Sequence, residues 1–313
     1  MEHDLESLQA RRAARARALR RRRSAVALAL LATALAAIAL ATMGASGRSS
    51  HTAAGSRTIA TKPPSAVPSP SAAIVRRWQK GAQLAAVRRL ASHGLPLYCG
   101  GRAKRMVALT FDDGPGPYTT LAIKKLREFH SRATFFLVGK EITAYPGLAR
   151  LETRVAVLGD HTMTHPFLPA LSQAEMVQEI AGAQRLIEAA GHQPVVLFRP
   201  PYEGHDYAID HEAKTLGMVE VLWNVDSADS LGANYAGIER NVIAGLHPGS
   251  IILMHENRGQ TIRALPVIFA ALAHKHLRAV TVPELIAADP PSLAQLRAGS
   301  RGCSVKRTVG SGD

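Results

Sequence analysis

Between Tyr98 and Asp289 short apolar runs alternate with longer stretches of helical period, and this constrains the fold more than anything else in the 313-residue chain. Arg105–Phe111, Ala133–Val138, Pro194–Phe198, Val219–Asn224, Ser250–Met254 and Arg278–Val282 read as strands. Thr120–Phe129, Ser172–Ala190, Tyr235–Leu246, Thr261–His274 and the short Pro283–Ala287 read as helices. Ser172–Ala190 is the clearest. Ser172 and Glu175 have capping-box spacing, Met176, Ile180, Ala183 and Ile187 form an apolar stripe, and Gly191 is a stop signal. Strands separated by helices pair in parallel, because each crossover returns the chain to the same end of the sheet. Six or seven such units over roughly 190 residues can close a small barrel, where functional groups gather at the C-terminal strand ends.

The N-terminal part follows different rules. Residues 1–23 carry eight arginines against Glu2, Asp4 and Glu6. An uncharged, almost wholly apolar run follows from Ser24 to Met43, close to the ~20 residues that span a bilayer as a helix. Arginines just before such a span keep the tail cytoplasmic and send the rest of the chain outside. A cleaved signal peptide is the competing reading. From Gly44 to about Ser71 the chain is rich in Ser, Thr, Pro, Ala and Gly, and Pro63, Pro64, Pro68 and Pro70 exclude regular helix. This reads as a flexible stalk. Ala72–Ser92 regains helical period, as a helix docked on the main domain or as more stalk. The expected organisation is therefore a basic tail (1–23), a membrane anchor (24–43), a stalk with a short helix (44–97), a catalytic domain (98–289) and a C-terminal tail (290–313).

The formal charge of +14 would suggest nucleic acid or an anionic membrane as partner. Its distribution argues otherwise. The tail holds +5, residues 44–97 hold +8, and residues 98–313 only +1. No nucleic-acid partner is expected, and the low aromatic content of 5% agrees. The basic excess belongs to the tether, where anionic lipid or wall polymer is the natural partner.

Five segments at or just past strand ends carry the candidate chemistry. Thr110–Pro115 (TFDDGP) sets Asp112 beside Asp113. Strand alternation would point them apart, one to a metal and one to a substrate; otherwise they form an ordinary solvated turn. In His161–Pro166 (HTMTHP) one helical turn would put His161 and His165 on one face. With Asp113 they would make the three-ligand set of a catalytic zinc; the bland alternative is two surface histidines. In Phe198–Tyr202 (FRPPY) Arg199 can fix a buried carboxylate, and the double proline can aim a backbone N–H at a developing oxyanion. Trp223–Asp229 (WNVDSAD) and Ile252–His255 (ILMH) supply an aspartate and a histidine, and an aspartate beside a histidine makes a tunable general acid.

Together and in this order, the five segments resemble the motifs of the polysaccharide deacetylase family (carbohydrate esterase family four, the chitooligosaccharide deacetylase-like domain). The resemblance runs from about Tyr98 to Asp289 and includes ATFFLVGK at Ala133–Lys140. It implies an irregular (β/α)7 barrel and a hydrolase that removes acetyl groups with a divalent metal, zinc being the expected ion. It implies Asp113, His161 and His165 as metal ligands, Asp112 as general base, Arg199 as its holder, and the Tyr202 backbone N–H as oxyanion donor. It further implies His255 as general acid, Asp229 as its partner, and Leu253 in the pocket for the acetyl methyl. The sequence departs from the family where Ser230 replaces a usual tryptophan, Asp160 a frequent asparagine and Glu203 a common glycine.

The expected substrate is an acetylated cell-wall glycan, peptidoglycan foremost, met by a single-pass, membrane-tethered enzyme outside the cytoplasm. The alternatives are a secreted chitooligosaccharide or acetylxylan deacetylase and, in another class, a non-catalytic glycan-binding module. Cys99 and Cys303 flank the barrel, and outside the cytoplasm they are expected to form a disulfide, against the alternative of two free thiols.

Overall fold

A computed structural model describes residues 81–303, all within the unit Ser65–Asp313. The basic tail, the apolar run 24–43, the stalk up to residue 80 and residues 304–313 lie outside the described residues. Among the described residues no helix is long and apolar enough to cross a membrane.

The chain runs α1 (Ala82–Ala91), β1 (Met106–Gly114), α2 (Thr119–Glu128), β2 (Ala133–Leu137), α3 (Gly139–Ala144), α4 (Leu148–Glu152), β3 (Ala156–Asp160) and α5 (Gln173–Gly191). It continues through β4 (Leu197–Phe198), α6 (Tyr207–Thr215), β5 (Val219–Glu220), β6 (Val225–Asp226), α7 (Tyr235–Gly245), β7 (Ile251–His255), α8 (Gly259–His274), β8 (Arg278–Val280), α9 (Val282–Ala288) and α10 (Leu293–Ala298).

All strand pairs are parallel, in the order β5-β4-β3-β2-β1-β7-β6. β1 pairs along one edge with β7; on the other it meets β8 at Met106–Ala108 and β2 from Thr110 onward. Alternation along β1 feeds two apolar layers. Val107, Leu109 and Phe111 pack outward with Leu126, Ile180 and Ile268 of the helices. Met106 and Ala108 face inward with Phe136, Val157, Leu197, Val219 and Ile251. Strands from both ends of the path share that inner cluster, so the sheet curls into a half-barrel, consistent with a (β/α) barrel. No ladder joins β5 to β6 among the described residues.

Val87 and Leu90 of α1 enter the inner layer with Leu285 and Ile286 of α9. The helical period around residues 82–91 thus belongs to a helix docked on the sheet. The disulfide between Cys99 and Cys303 forms, closing the sheet's two flanks across 204 residues. The Ser172 capping box also forms.

The structure corrects several expectations. β3 was not expected: its apolar run Ala156–Leu158 is short and shows no period of its own. The strand expected over Val219–Asn224 breaks after Glu220, because Leu97 inserts there, accepting from Leu222 N–H and donating to Glu220 O. α5 includes Gly191, and the left-handed residue that ends it is His192, at φ 54°.

Candidate active site

Strand register builds the site. Asp112 of β1 pairs with His255 of β7, and Asp160 of β3 pairs with Phe198 of β4. His161 and Arg199 follow directly on those last two strands, so residues far apart in sequence meet at one sheet end.

The two aspartates do not diverge as strand alternation suggests. The β1–β2 register slips between Asp112 and Gly114, and Asp113 adopts φ 68°. As a result Asp112 Oδ2 and Asp113 Oδ1 each lie 3.7 Å from the same atom, His161 Nε2. Glycine at 114 makes room for buried Glu256, whose carboxyl carbon would lie 2.3 Å from a Cβ there. Glu256 also accepts from Thr119 Oγ1.

His161 and His165 do not share a helical turn either. The segment after β3 is irregular, with Thr162 at φ 69° and His165 at φ 67°. Asp160 accepts the Thr162 N–H at 2.7 Å, and Thr162 Oγ1 accepts the His165 N–H at 3.0 Å. This hydrogen-bonded loop brings both imidazoles to Asp113.

Asp113 Oδ1 lies 3.7 Å from His161 Nε2 and 3.2 Å from His165 Nε2. Tetrahedral bonds of 2.0–2.1 Å place ligand atoms roughly 3.3 Å apart, so the three atoms fit around one divalent ion. His161 Nδ1 lies 2.6 Å from the Arg199 carbonyl oxygen, which fixes its proton there and leaves the Nε2 lone pair toward Asp113. Burial pulls His161 below the usual histidine range, which keeps it neutral, as a ligand must be. Burial would raise Asp113, but the His165 hydrogen bond and the nearby histidines hold its carboxyl well below the usual range.

Arg199 is completely buried. Its Nη1 donates to Asp112 Oδ1 at 2.7 Å and to Thr110 Oγ1 at 2.8 Å, and its Nε donates to Val221 O at 2.8 Å. On the other side Asp229 accepts four hydrogen bonds, from His255 Nδ1 at 2.7 Å, His255 N–H at 2.8 Å, Ser230 N–H at 2.8 Å and Thr261 Oγ1 at 2.5 Å. Burial opposes charge on His255, but the hydrogen bond and charge of Asp229, with Asp112 and Asp113 nearby, push its pKa up to about 9.

A cavity of about 630 Å³ collects Asp112, Asp113, His161, His165, Tyr202, Leu253 and His255 on its wall, with Trp223, Ser230 and Leu231. Arg199 and Asp229 stand behind that wall. The cavity can hold a cation, accept a proton at Asp112 and release one from His255. Sequence reasoning missed four contributors. Asn257 Nδ2 donates to Asp113 Oδ2 at 3.2 Å, the Tyr202 hydroxyl lies 3.1 Å from His165 Nδ1, and Thr110 and Thr261 brace Arg199 and Asp229. Thr110 lies within the TFDDGP segment, though only its aspartates were singled out, while Asn257 and Thr261 lie outside all five segments.

Comparison with known proteins points one way. Residues 100–221 match the family model described as polysaccharide deacetylase. A peptidoglycan-N-acetylglucosamine deacetylase of Bacillus cereus is 32% identical over 190 residues, covering 58% of this chain and 89% of the relative. A chitooligosaccharide deacetylase of Bradyrhizobium is 31% identical over 198 residues, covering 58% of this chain and 90% of the relative. Among solved structures, a peptidoglycan N-acetylglucosamine deacetylase in complex with 4-naphthalen-1-yl-N-oxidanyl-benzamide superposes with a TM-score of 0.59 at 30% identity, covering 61% of this chain and 92% of that one.

Proposed function

Since the chain belongs to the polysaccharide deacetylase family, we propose that it hydrolyses the amide joining an acetyl group to an N-acetylated sugar of a cell-wall glycan, peptidoglycan foremost, with zinc as cofactor. One observation carries this reading: the metal-ligand triad Asp113, His161 and His165 shares its cavity with a braced carboxylate, Asp112, and a histidine poised to donate, His255. A divalent ion held there supplies Lewis-acid polarisation of the carbonyl and a lowered pKa for water.

The chain's own residues handle the protons. Asp112 Oδ2 takes the proton of the attacking water, while Arg199 keeps Oδ1 occupied and the carboxyl group oriented. The Tyr202 backbone N–H meets the negative charge that develops on the carbonyl oxygen. An amine leaves badly unless protonated, and His255 Nε2 gives it that proton as the C–N bond breaks. Asp229 occupies Nδ1, holding the ring's orientation and its charge.

The names of the relatives support a cell-wall substrate. So does the arginine-rich tail before the apolar run 24–43, which would hold the domain outside the cytoplasm beside the wall. The Bradyrhizobium relative favours a second substrate, chitooligosaccharide, on the same chemistry.

Acetate release is to be measured on peptidoglycan, chitooligosaccharides and acetylated xylan, with and without chelator. Release from peptidoglycan that chelator abolishes and zinc restores is the expected result. Asp112→Asn should keep its zinc and lose about 10²–10⁴ in rate. No release from any of the three by the zinc-loaded protein would overturn the proposal. It would leave a glycan-binding module, whose affinity Asp112→Asn should not alter.

A further inference from the structure

A second group of metal-ligand type lies on the outer side of the sheet, just beyond Tyr202 and Glu203 of the cavity wall. His205 Nδ1 lies 3.0 Å from Asp210 Oδ1 and 3.4 Å from Glu220 Oε1. The three ligand atoms all fall within 4.8 Å of one another. Three separate elements supply them: the loop before α6, the first turn of α6, and β5.

Glu220 is the residue that needs explaining. It sits on β5 between Val219 and Val221, which turn into the inner apolar layer, so its own side chain turns outward under α6. It is 4% exposed, neither carboxylate oxygen accepts a hydrogen bond from a donor group, and burial beside Asp210 pushes its pKa well above the usual carboxylate range. A carboxylate buried in this way is costly unless it is protonated, paired or bound to a metal. Its surroundings make pairing worse. Glu203, Asp206 and Asp210 crowd the same region, and His205 is the only ion-pair partner within 4.0 Å of any of these acids among the described residues. The same negative field reaches Tyr98, where burial together with Glu203, Glu220 and Asp210 pushes the phenol up to about 12.

We propose that His205, Asp210 and Glu220 bind a second divalent cation of the zinc class, which ties β5 to α6 and to the loop that carries Tyr202. The donor set of one imidazole and two carboxylates suits such an ion. The separations of 3.0 and 3.4 Å bracket the roughly 3.3 Å expected between ligands of a tetrahedral site. His205 and Asp210 are only half-buried, which leaves room for water at a fourth position. The loop has reason to need a tie: Tyr202 and Glu203 are both left-handed, at φ 62° and 57°, a conformation that costs free energy for non-glycine residues. The site does not depend on the cavity reading, because it shares no ligand with Asp113, His161 and His165.

Zinc alone is the probe. Metal-stripped full-length protein is dialysed against micromolar Zn²⁺, and bound zinc is counted per chain by elemental analysis. Wild type should bind two ions. Glu220→Gln and His205→Ala should each bind one, and Asp113→Asn with His165→Ala should also bind one. If neither Glu220→Gln nor His205→Ala loses an equivalent, the second site is overturned, whatever the cavity does. If only the cavity variant leaves the count unchanged, the cavity reading fails and the second site stands. Should either second-site variant misfold, anomalous scattering at the zinc edge on wild-type crystals decides. A peak bonded to His205 Nδ1 supports the site, and its absence with zinc in the mother liquor refutes it.

Discussion

Arg199 Nη1 meets Asp112 Oδ1 at 2.7 Å in a buried pair at the cavity wall, and the same guanidinium holds Thr110 and the carbonyl of Val221. It also lies 4.1 Å from the ring centre of Phe136. One side chain thus locks β1 to the segment beyond β5 and pairs with a buried carboxylate. Removing it leaves Asp112 uncompensated, so Arg199→Ala should cost about 3–5 kcal/mol in urea unfolding. Arg199→Lys keeps the charge but not the planar fork that serves four acceptors at once, Asp112, Thr110 and the carbonyls of Val221 and Leu222. It should fold with a smaller loss yet fall well over tenfold in kcat. Equal losses of stability from the two variants would show that charge alone matters.

The Asp229–His255 pair sets a pH dependence with a definite sign. Its folded pKa of about 9 lies above the ordinary 6.5, so His255 stabilises the fold fully below about pH 6.5 and loses that contribution as pH rises through about 9. In Asp229→Asn, burial is left with less to oppose it and the pKa should drop below 7. NMR titration of metal-free protein reads this directly, and the fall of stability between pH 6.5 and 9 should flatten. An unchanged His255 titration in the variant would remove Asp229 from the role.

The Tyr202 hydroxyl, 3.1 Å from His165 Nδ1, orients that ring from behind. Losing such an outer partner typically lowers metal affinity by about 10–100-fold. Tyr202→Phe keeps the backbone and the edge-on ring contact with His165. It should therefore weaken zinc binding in competition with a chromogenic chelator while kcat at saturating zinc stays near wild type. A fall in kcat with unchanged affinity would place the hydroxyl in the chemistry instead.

What could be read from the sequence divides along physical lines. Local signals held: the Ser172–Glu175 capping box, and the apolar runs of β1, β2 and β7. The site residues were named by resemblance to a family, but their way of meeting was not legible. Asp113 joins Asp112 at His161 because it takes a positive φ, and the histidines converge through a loop with two more. L-residues adopt such angles only when surroundings force them, so no local pattern announces them. β3 escaped notice because a three-residue apolar core becomes a strand only through its neighbours β2 and β4.

The Cys99–Cys303 bridge closes 204 residues of chain. Removing a native bridge typically costs about 2–5 kcal/mol, and a loop of this length lies at the upper end in a chain-entropy account. Cys99 also pairs with Ser250, and Leu97 with Val221, so the bridge anchors the strand-like entry to the sheet. Cys99→Ser with Cys303→Ser should lower the Tm by several degrees while acetate release at 25 °C changes little, because no site residue contacts the bridge. A large loss of activity at unchanged Tm would mean that the bridge shapes the cavity.

Ser230 lines the cavity beside Leu231, Trp223 and Leu253, and on the proposed function this wall is expected to set how well acyl groups are told apart. Ser230 and the 81% exposed Leu231 stand where a bulky side chain would close the pocket around Leu253 and Trp223. An apolar pocket that fits a methyl group closely rejects one extra methylene by about 10–200-fold. With the wall open, N-propionyl and N-acetyl glucosamine oligomers should react within about tenfold of each other in kcat/KM. Ser230→Trp should restore the wall, lowering propionyl turnover by at least tenfold more than acetyl turnover. If wild type already discriminates by a hundredfold, another residue closes the pocket and Ser230 is not the determinant.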